Sequence, residues 1–190
     1  GKIKMIITIA GKAGAGKTTL AKIITKSFPH VIHIDLDEIN AYLMTKQITK
    51  EFALSLFGEQ VFTKEELDRE KVAKVIYNDE ILYHKWCDYM KVRCEEFVED
   101  MRHKNPKSLY VIEHVLVDKL SIFKKSKLNI LVELEEKERF NRVMKRDNLA
   151  ESEVQKREQF LTDYDEVQFH IIYNEKENED IIAKIKEVIA

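Results

Sequence analysis

The stretch Gly11-Lys12-Ala13-Gly14-Ala15-Gly16-Lys17-Thr18 commits this chain to an α/β architecture. It follows an apolar, β-branched run, Met5-Ile6-Ile7-Thr8-Ile9-Ala10, and precedes Thr19-Leu20-Ala21-Lys22-Ile23-Ile24, which reads as a helix. Strand, glycine loop and helix in that order form a phosphate cradle. The loop curls so that successive N–H groups converge on one point, and the helix N-terminus behind them adds its dipole. Three of the chain's five glycines fall here, where the backbone must curl tightly. In a G-x-x-x-x-G-K-T loop the lysine reaches the β- and γ-phosphates and the threonine hydroxyl ligates Mg2+. Gly11, Ala13, Gly14, Ala15, Gly16, Lys17, Thr18 and Thr19 are therefore predicted to hold a purine triphosphate, with Thr18 as the metal ligand.

A chain of 190 residues, 44% of them hydrophobic, suits one enzyme-sized domain over residues 1–190 with room for an inserted lobe. The formal net charge of −2 gives no general attraction to nucleic acid or to an anionic membrane. Neither is expected as a partner, and phosphate recognition must rest on locally placed cations. Cys87 and Cys94 form no C-x-x-C pair and fit no metal-ligand spacing, so both are expected reduced on one helix, which suits the cytoplasm. No apolar run approaches the roughly 20 residues that span a bilayer, and the N-terminus lacks a signal-peptide pattern. A cytoplasmic protein is predicted, and the sequence carries no mark of its oligomeric state.

After the first helix, Phe28-Pro29-His30 breaks the pattern and Val31-Ile32-His33-Ile34 reads as a short buried strand ending at Asp35-Leu36-Asp37. Carboxylates at the C-terminal end of a parallel strand face the ligand crevice, so Asp35 or Asp37 is placed to accept a proton from an attacking hydroxyl or to hold Mg2+ through water. Asp37, just before Glu38-Ile39, also fits a helix N-cap, which makes Asp35 the stronger candidate base; Asp35 is expected beside the loop strand. His33 shares the strand face of Asp35 and is read as a core residue. From Ile39 to Lys104 only helical periodicity is visible, as in Phe52/Leu56 and Leu82/Trp86/Tyr89/Met90, and no strand is expected. This inserted lobe, about residues 39–104, is where a small-molecule kinase would hold its acceptor, and Arg69 sits near a helix start within it. Leu109-Tyr110-Val111-Ile112-Glu113 reads as the third strand, closing on a carboxylate in the position of a Walker B acid, and Lys127–Glu133 as the fourth. Arg139, Arg142, Arg146 and Arg157 then fall within a helix-turn-helix span broken at Asp147-Asn148, read as a mobile lid over about residues 142–165. A solvated charged face suits Arg139 better than Arg142 or Arg146, whose guanidinium groups can neutralise a transferring phosphoryl group. Phe169–Tyr173 is the fifth strand, before Asn174 and a last helix, Asp180–Ile189. The predicted fold is thus a P-loop kinase fold: a five-stranded parallel sheet flanked by helices, with core residues 1–38 and 105–190.

Several stretches taken in order resemble the dephospho-coenzyme A kinases. They are Ile9-Ala10-Gly11 through Thr19, Ile34-Asp35-Leu36-Asp37, Phe57-Gly58, Leu67-Asp68-Arg69, Arg142 through Arg146-Asp147, Arg157, and Ile171-Ile172-Tyr173-Asn174. The resemblance implies that ATP phosphorylates the ribose 3′-hydroxyl of dephospho-CoA, with ATP and Mg2+ as cofactors. It implies Lys17, Asp35 and Arg146 as catalytic residues, Arg142 and Asn174 beside the nucleotide, and Asp35, Asp37, Arg69 and Arg157 toward the acceptor, where Glu113 is also placed. Lys91-Val92 stands where the family has His-Pro, Val115-Leu116-Val117-Asp118 where it has P-L-L-F-E, and Arg139 and Leu161 where it has glutamines. These departures touch acceptor recognition more than the phosphate machinery.

The rival readings are another nucleotide or small-molecule P-loop kinase and a degenerate ATP-binding homologue. A GTPase is a poor fit: glycines at 1, 11, 14, 16 and 58 alone allow no D-x-x-G, and there is no N-K-x-D. A transporter-type ATPase would need L-S-G-G-Q, which is absent.

Overall fold

A computed structural model describes residues 5–173 and 175–190, so Asn174 lies outside the described residues. Strand β1 (Met5–Ala10) places Ile6, Ile7 and Ile9 wholly out of solvent, on both of its faces, as expected of a central strand with helices on either side. A loop then leads into α1 (Lys17–Ser27), which buries Leu20, Ala21 and Ile24 along one face. β2 (Val31–Asp35) follows, and its last residue opens α2 (Leu36–Leu43). Next come α3 (Gln47–Phe57), the short strands β3 (Phe62–Thr63) and β4 (Glu66–Leu67), α4 (Arg69–Ile76) and the long α5 (Glu80–Lys104).

The β3–β4 hairpin departs from the expectation of no strand in this region. Its turn residues Lys64 and Glu65 adopt φ of 50° and 68°, a conformation the sequence did not advertise with Asn or Gly. β5 (Leu109–Glu113), α6 (Ile122–Lys125), β6 (Leu128–Val132), α7 (Glu136–Asp147), α8 (Glu151–Glu158), β7 (His170–Ile172) and α9 (Asn178–Ile189) complete the chain.

The five long strands form one parallel sheet in the order β2-β5-β1-β6-β7. All the connections between neighbours in this sheet are crossovers, and the strand ends Ala10, Asp35, Glu113, Val132 and Ile172 share one edge. β5 intervenes between β1 and β2. Asp35 is therefore not beside the loop strand, as expected, but one strand further out, in register with Glu113.

One sheet face packs on α1 and α9 through Leu20, Ile24, Ile181 and Ile185. The other carries α2 to α5, with Trp86, Met90 and Val98 of α5 buried toward Ile34 and Ile112 of the sheet. Each fully buried Ile or Leu contributes roughly 1.5–3 kcal/mol of transfer free energy, so the sheet is the rigid floor on which its C-terminal edge is held. α7 and α8 form a hairpin with a small core of its own, Phe140, Val143 and Val154, against which Ala13 packs. Asn148 ends α7 in the left-handed conformation, which an asparagine adopts at low cost.

Candidate active site

The glycine loop is shaped by close approaches as much as by its own turns. A Cβ on Gly14 would lie 2.8 Å from the carbonyl oxygen of Arg139, and Gly14 has φ of 82°. Both facts demand glycine there. The Ala15 N–H donates to Lys12 O at 3.1 Å and closes the turn, while the Leu20 N–H donates to Gly16 O and starts the helix. Lys17 Nζ folds back to donate to Gly11 O at 2.7 Å and Lys12 O at 3.3 Å. Burial holds the Lys17 pKa below its ordinary value, and the negative charges of Asp37, Glu113 and Asp35 offset only part of that shift. The lysine thus stands among three carboxylates at the sheet edge.

Those carboxylates differ in role. Glu113 is buried, 2% exposed, and uses both oxygens: Oε1 accepts from the Thr18 hydroxyl at 2.6 Å, and Oε2 meets His33 Nε2 at 2.5 Å. His33, read from sequence as a core residue, is instead partnered to this acid, and the strand pairing of β2 with β5 brings the two together. Asp35 Oδ1 accepts from the Asp37 N–H at 2.9 Å and is the N-cap of α2. The sequence fits a cap at Asp37, but β2 runs one residue further and α2 begins at Leu36, so the capping position falls on Asp35. Burial and the neighbouring Glu113 raise the Asp35 pKa above its ordinary value. Asp37, in the first turn of α2, meets His114 Nε2 at 3.0 Å. Partial desolvation would raise its pKa, but the hydrogen bond and charge of His114, with Lys17 and Arg69 beyond, overcome this and hold it at about 2. The Leu116 N–H donates to His114 Nδ1 at 3.2 Å, which turns the Nε2 edge of the ring toward Asp37.

Arg69 is the first residue of α4, behind the Asp68 N-cap, and its charge reaches Asp37. Arg146 is 61% exposed, chelated by both oxygens of adjacent Asp147, and sensed electrostatically by Asp35 and Asp37. Arg142, also exposed, pairs with Glu138. Arg157 donates to Glu153 and lies 5.2 Å from the Tyr77 ring of the helical region. Arg139 corrects the sequence reading. Far from a solvated face, it is buried, with Nη1 donating to Ala13 O at 3.1 Å and its two terminal nitrogens forking onto Glu158 at 2.8 and 3.0 Å. α8 and the residue beyond it touch the helical lobe: the Phe160 ring lies 4.5 Å from the Tyr83 ring, and Lys156 meets Asn78. Beside the loop, a cleft of about 310 Å3 is lined by Gly16, Thr19, Val132, Leu134 and Arg142. Sequence reasoning missed His114 and Glu158. His114 had a signal, as the residue next to a strand-terminal acid; Glu158 had none.

The profile of the dephospho-CoA kinase family matches residues 5–174, nearly the whole chain. The chain belongs to the dephospho-CoA kinase family. It is 24% identical over 109 residues to a curated dephospho-CoA kinase of Mycoplasma genitalium, a match spanning 57% of this chain and 55% of that protein. The chain thus matches about half the length of this curated relative. A crystal structure from Thermus thermophilus shares 25% identity and superposes with a TM-score of 0.76, over 99% of this chain and 97% of the other. The dephospho-CoA kinase of Campylobacter jejuni, at 16% identity and a TM-score of 0.61 over 97% of this chain and 96% of its own, shares the fold. Among the described residues no helix is long and apolar enough to cross a membrane.

Proposed function

We propose that this member of the dephospho-CoA kinase family transfers the γ-phosphoryl group of ATP to the ribose 3′-hydroxyl of dephospho-CoA. The observation that carries the reading is the convergence of Lys17, Thr18, Asp35, Asp37 and Glu113 at the sheet edge above the glycine loop. The loop amides and Lys17 hold the triphosphate, and the cleft beside Thr19 and Arg142 takes the nucleoside end. The donor set suits Mg2+, with the Thr18 hydroxyl as its protein ligand oriented by Glu113; a bound Mg2+ neutralises charge on the phosphate oxygens. Asp35 commits one oxygen to its helix and has Oδ2 left to take the proton of the attacking hydroxyl. The helices from α2 to α5 hold the acceptor, and the α7–α8 hairpin acts as the lid that brings Arg146 onto the transferring group. Incubation with ATP, Mg2+ and dephospho-CoA should yield a product heavier by one phosphoryl group and identical to CoA by mass spectrometry. ADP release with a different acceptor, and none with dephospho-CoA, would assign the chain to another kinase reaction.

The division between lid and lobe is testable by kinetics. Arg146→Ala should lower kcat more than it raises the KM for dephospho-CoA, because this exposed side chain meets the phosphoryl group only on closure. Arg69→Ala should do the reverse, since a guanidinium fixed at the start of α4 binds acceptor phosphates in ground and transition state alike. Equal effects on both parameters in both variants would mean that lid and lobe are misplaced.

A further inference from the structure

Arg139 makes three hydrogen bonds in a buried setting, and only two of them are to its ion-pair partner. Its side chain is 6% exposed and that of Glu158 is 14% exposed. A buried ion pair is weak support for a fold on its own, because desolvating both charges offsets most of their attraction. The third bond therefore indicates what the pair does. Nη1 carries two hydrogens: one goes to Glu158 Oε2 at 2.8 Å, the other to Ala13 O at 3.1 Å. Glu158 holds the edge of the planar guanidinium, and that fixes the direction of the remaining N–H onto the loop carbonyl.

The peptide joining Ala13 to Gly14 is trans, since the described residues contain no cis bond. Its C=O and N–H consequently point to opposite sides. A carbonyl pinned outward to α7 leaves the Gly14 N–H facing the other way, toward the hollow of the loop. That amide donates to no protein acceptor among the described residues, whereas the next one, of Ala15, is used by Lys12 O. The main chain of α7 supports the same setting, as the Arg139 carbonyl approaches Gly14 so closely that no Cβ would fit between them.

We propose that Arg139 is a positioning residue of the phosphate loop: held by Glu158, it fixes the Ala13–Gly14 peptide from behind so that the Gly14 N–H is presented to a bound polyphosphate. Arg139 touches no substrate; it acts through a peptide that does. This rests on the proposed ATP site. A flipped peptide would replace a donor by a carbonyl oxygen pointing at an anion, so the loop would be closed to phosphate without any loss of Lys17.

The test uses the whole chain with both charges removed, Arg139→Leu/Glu158→Leu, which leaves no uncompensated buried charge. Titration calorimetry with ATP and with inorganic tripolyphosphate, thermal melting, and the KM for each substrate are measured. Losing one charge-assisted hydrogen-bond arrangement of about 1.5 kcal/mol should weaken both polyphosphates about tenfold, with the KM for dephospho-CoA within about twofold of wild type. Glu158→Gln, which retains Arg139 and an acceptor for it, should bind ATP within about threefold of wild type. Unchanged polyphosphate affinity in a folded double variant overturns the proposal. So does a uniform loss of affinity for both substrates together with a fall in melting temperature, which is the mark of a purely structural pair. Should the double variant fail to fold, the wild type decides: on titration with tripolyphosphate the Gly14 amide proton should move downfield, and a Gly14 signal that stays in place while its neighbours shift overturns the proposal. A wild type that binds neither ATP nor tripolyphosphate would instead defeat the proposed ATP site itself.

Discussion

Lys17→Ala is expected to reduce turnover by about 100- to 1,000-fold while the protein stays folded. A positioned cation on the transferring phosphates acts chiefly in the transition state, and removal of one such contact costs about 3–4 kcal/mol. The fold should survive because Lys17 is the first residue of α1, where alanine is a good helix former, and because the buried face of that helix is Leu20, Ala21 and Ile24. Its ammonium donates to Gly11 O and Lys12 O, which aim the side chain along the loop. A second consequence separates this residue from the rest of the loop. Lys17 lies among Asp35, Asp37 and Glu113, and in its absence the Asp37 carboxyl loses one of the charges that hold its pKa down, so its titration should move upward from about 2. Turnover, circular dichroism and carboxyl titration by NMR check the three statements together. A folded Lys17→Ala variant with wild-type turnover would remove the loop from the catalytic mechanism.

The elements of this fold were legible wherever a local pattern coincides with a tertiary requirement. β1 is buried on both faces because it is central, and that shows as a run from Met5 to Ala10 in which Thr8 is the one polar residue. The glycine loop is legible because its geometry excludes other residues, as the carbonyl packed on Gly14 makes plain. What the sequence does not show is which strands become neighbours. Nothing in Val31–Asp35 states that β5 will insert between it and β1, and so the pairing of His33 with Glu113, residues 80 apart in the chain, has no local sign. Arg139 is the clearest instance. An arginine in a helix with a strongly charged first turn reads as a surface residue, yet the partner that allows its burial, Glu158, arrives from the next helix. The N-cap of α2 is ambiguous in sequence for a smaller reason: both Asp35 and Asp37 are good capping residues, and only the extent of β2 decides between them.

Asp35→Asn should lower turnover by about a hundred- to ten-thousand-fold, the usual worth of a positioned general base, with ATP affinity little changed. The substitution is chosen because asparagine caps a helix as well as aspartate does, so α2 keeps its start; alanine would lose the bond to the Asp37 N–H and confuse catalysis with stability. The electrostatics set the two carboxylates apart, so the pH profile tests which of them is the base. Asp35 has its pKa raised by burial and by Glu113, so on lowering the pH it takes up a proton before an ordinary aspartate would, and the acid limb of the kcat profile should lie above 3.8. Asp37, held at about 2 against its own desolvation by His114, remains ionised throughout that limb and cannot produce it. The same shift carries a sign for stability. A carboxyl that binds its proton more tightly in the folded state than in the unfolded one favours folding most when protonated, and that contribution is lost as pH rises from 3.8 through the raised value. At neutral pH the ionised Asp35 is therefore a strain on the fold, and Asp35→Asn should melt at the same temperature as the wild type or higher even as it loses activity. Asp37→Asn should show the opposite pairing: a lower melting temperature, because a favourable contact with His114 is weakened, and a smaller loss of turnover. Should Asp37→Asn prove the inactive enzyme and Asp35→Asn retain both its turnover and its acid limb, the base is Asp37; should both remain active, neither carboxylate takes the proton and substrate positioning alone carries the transfer.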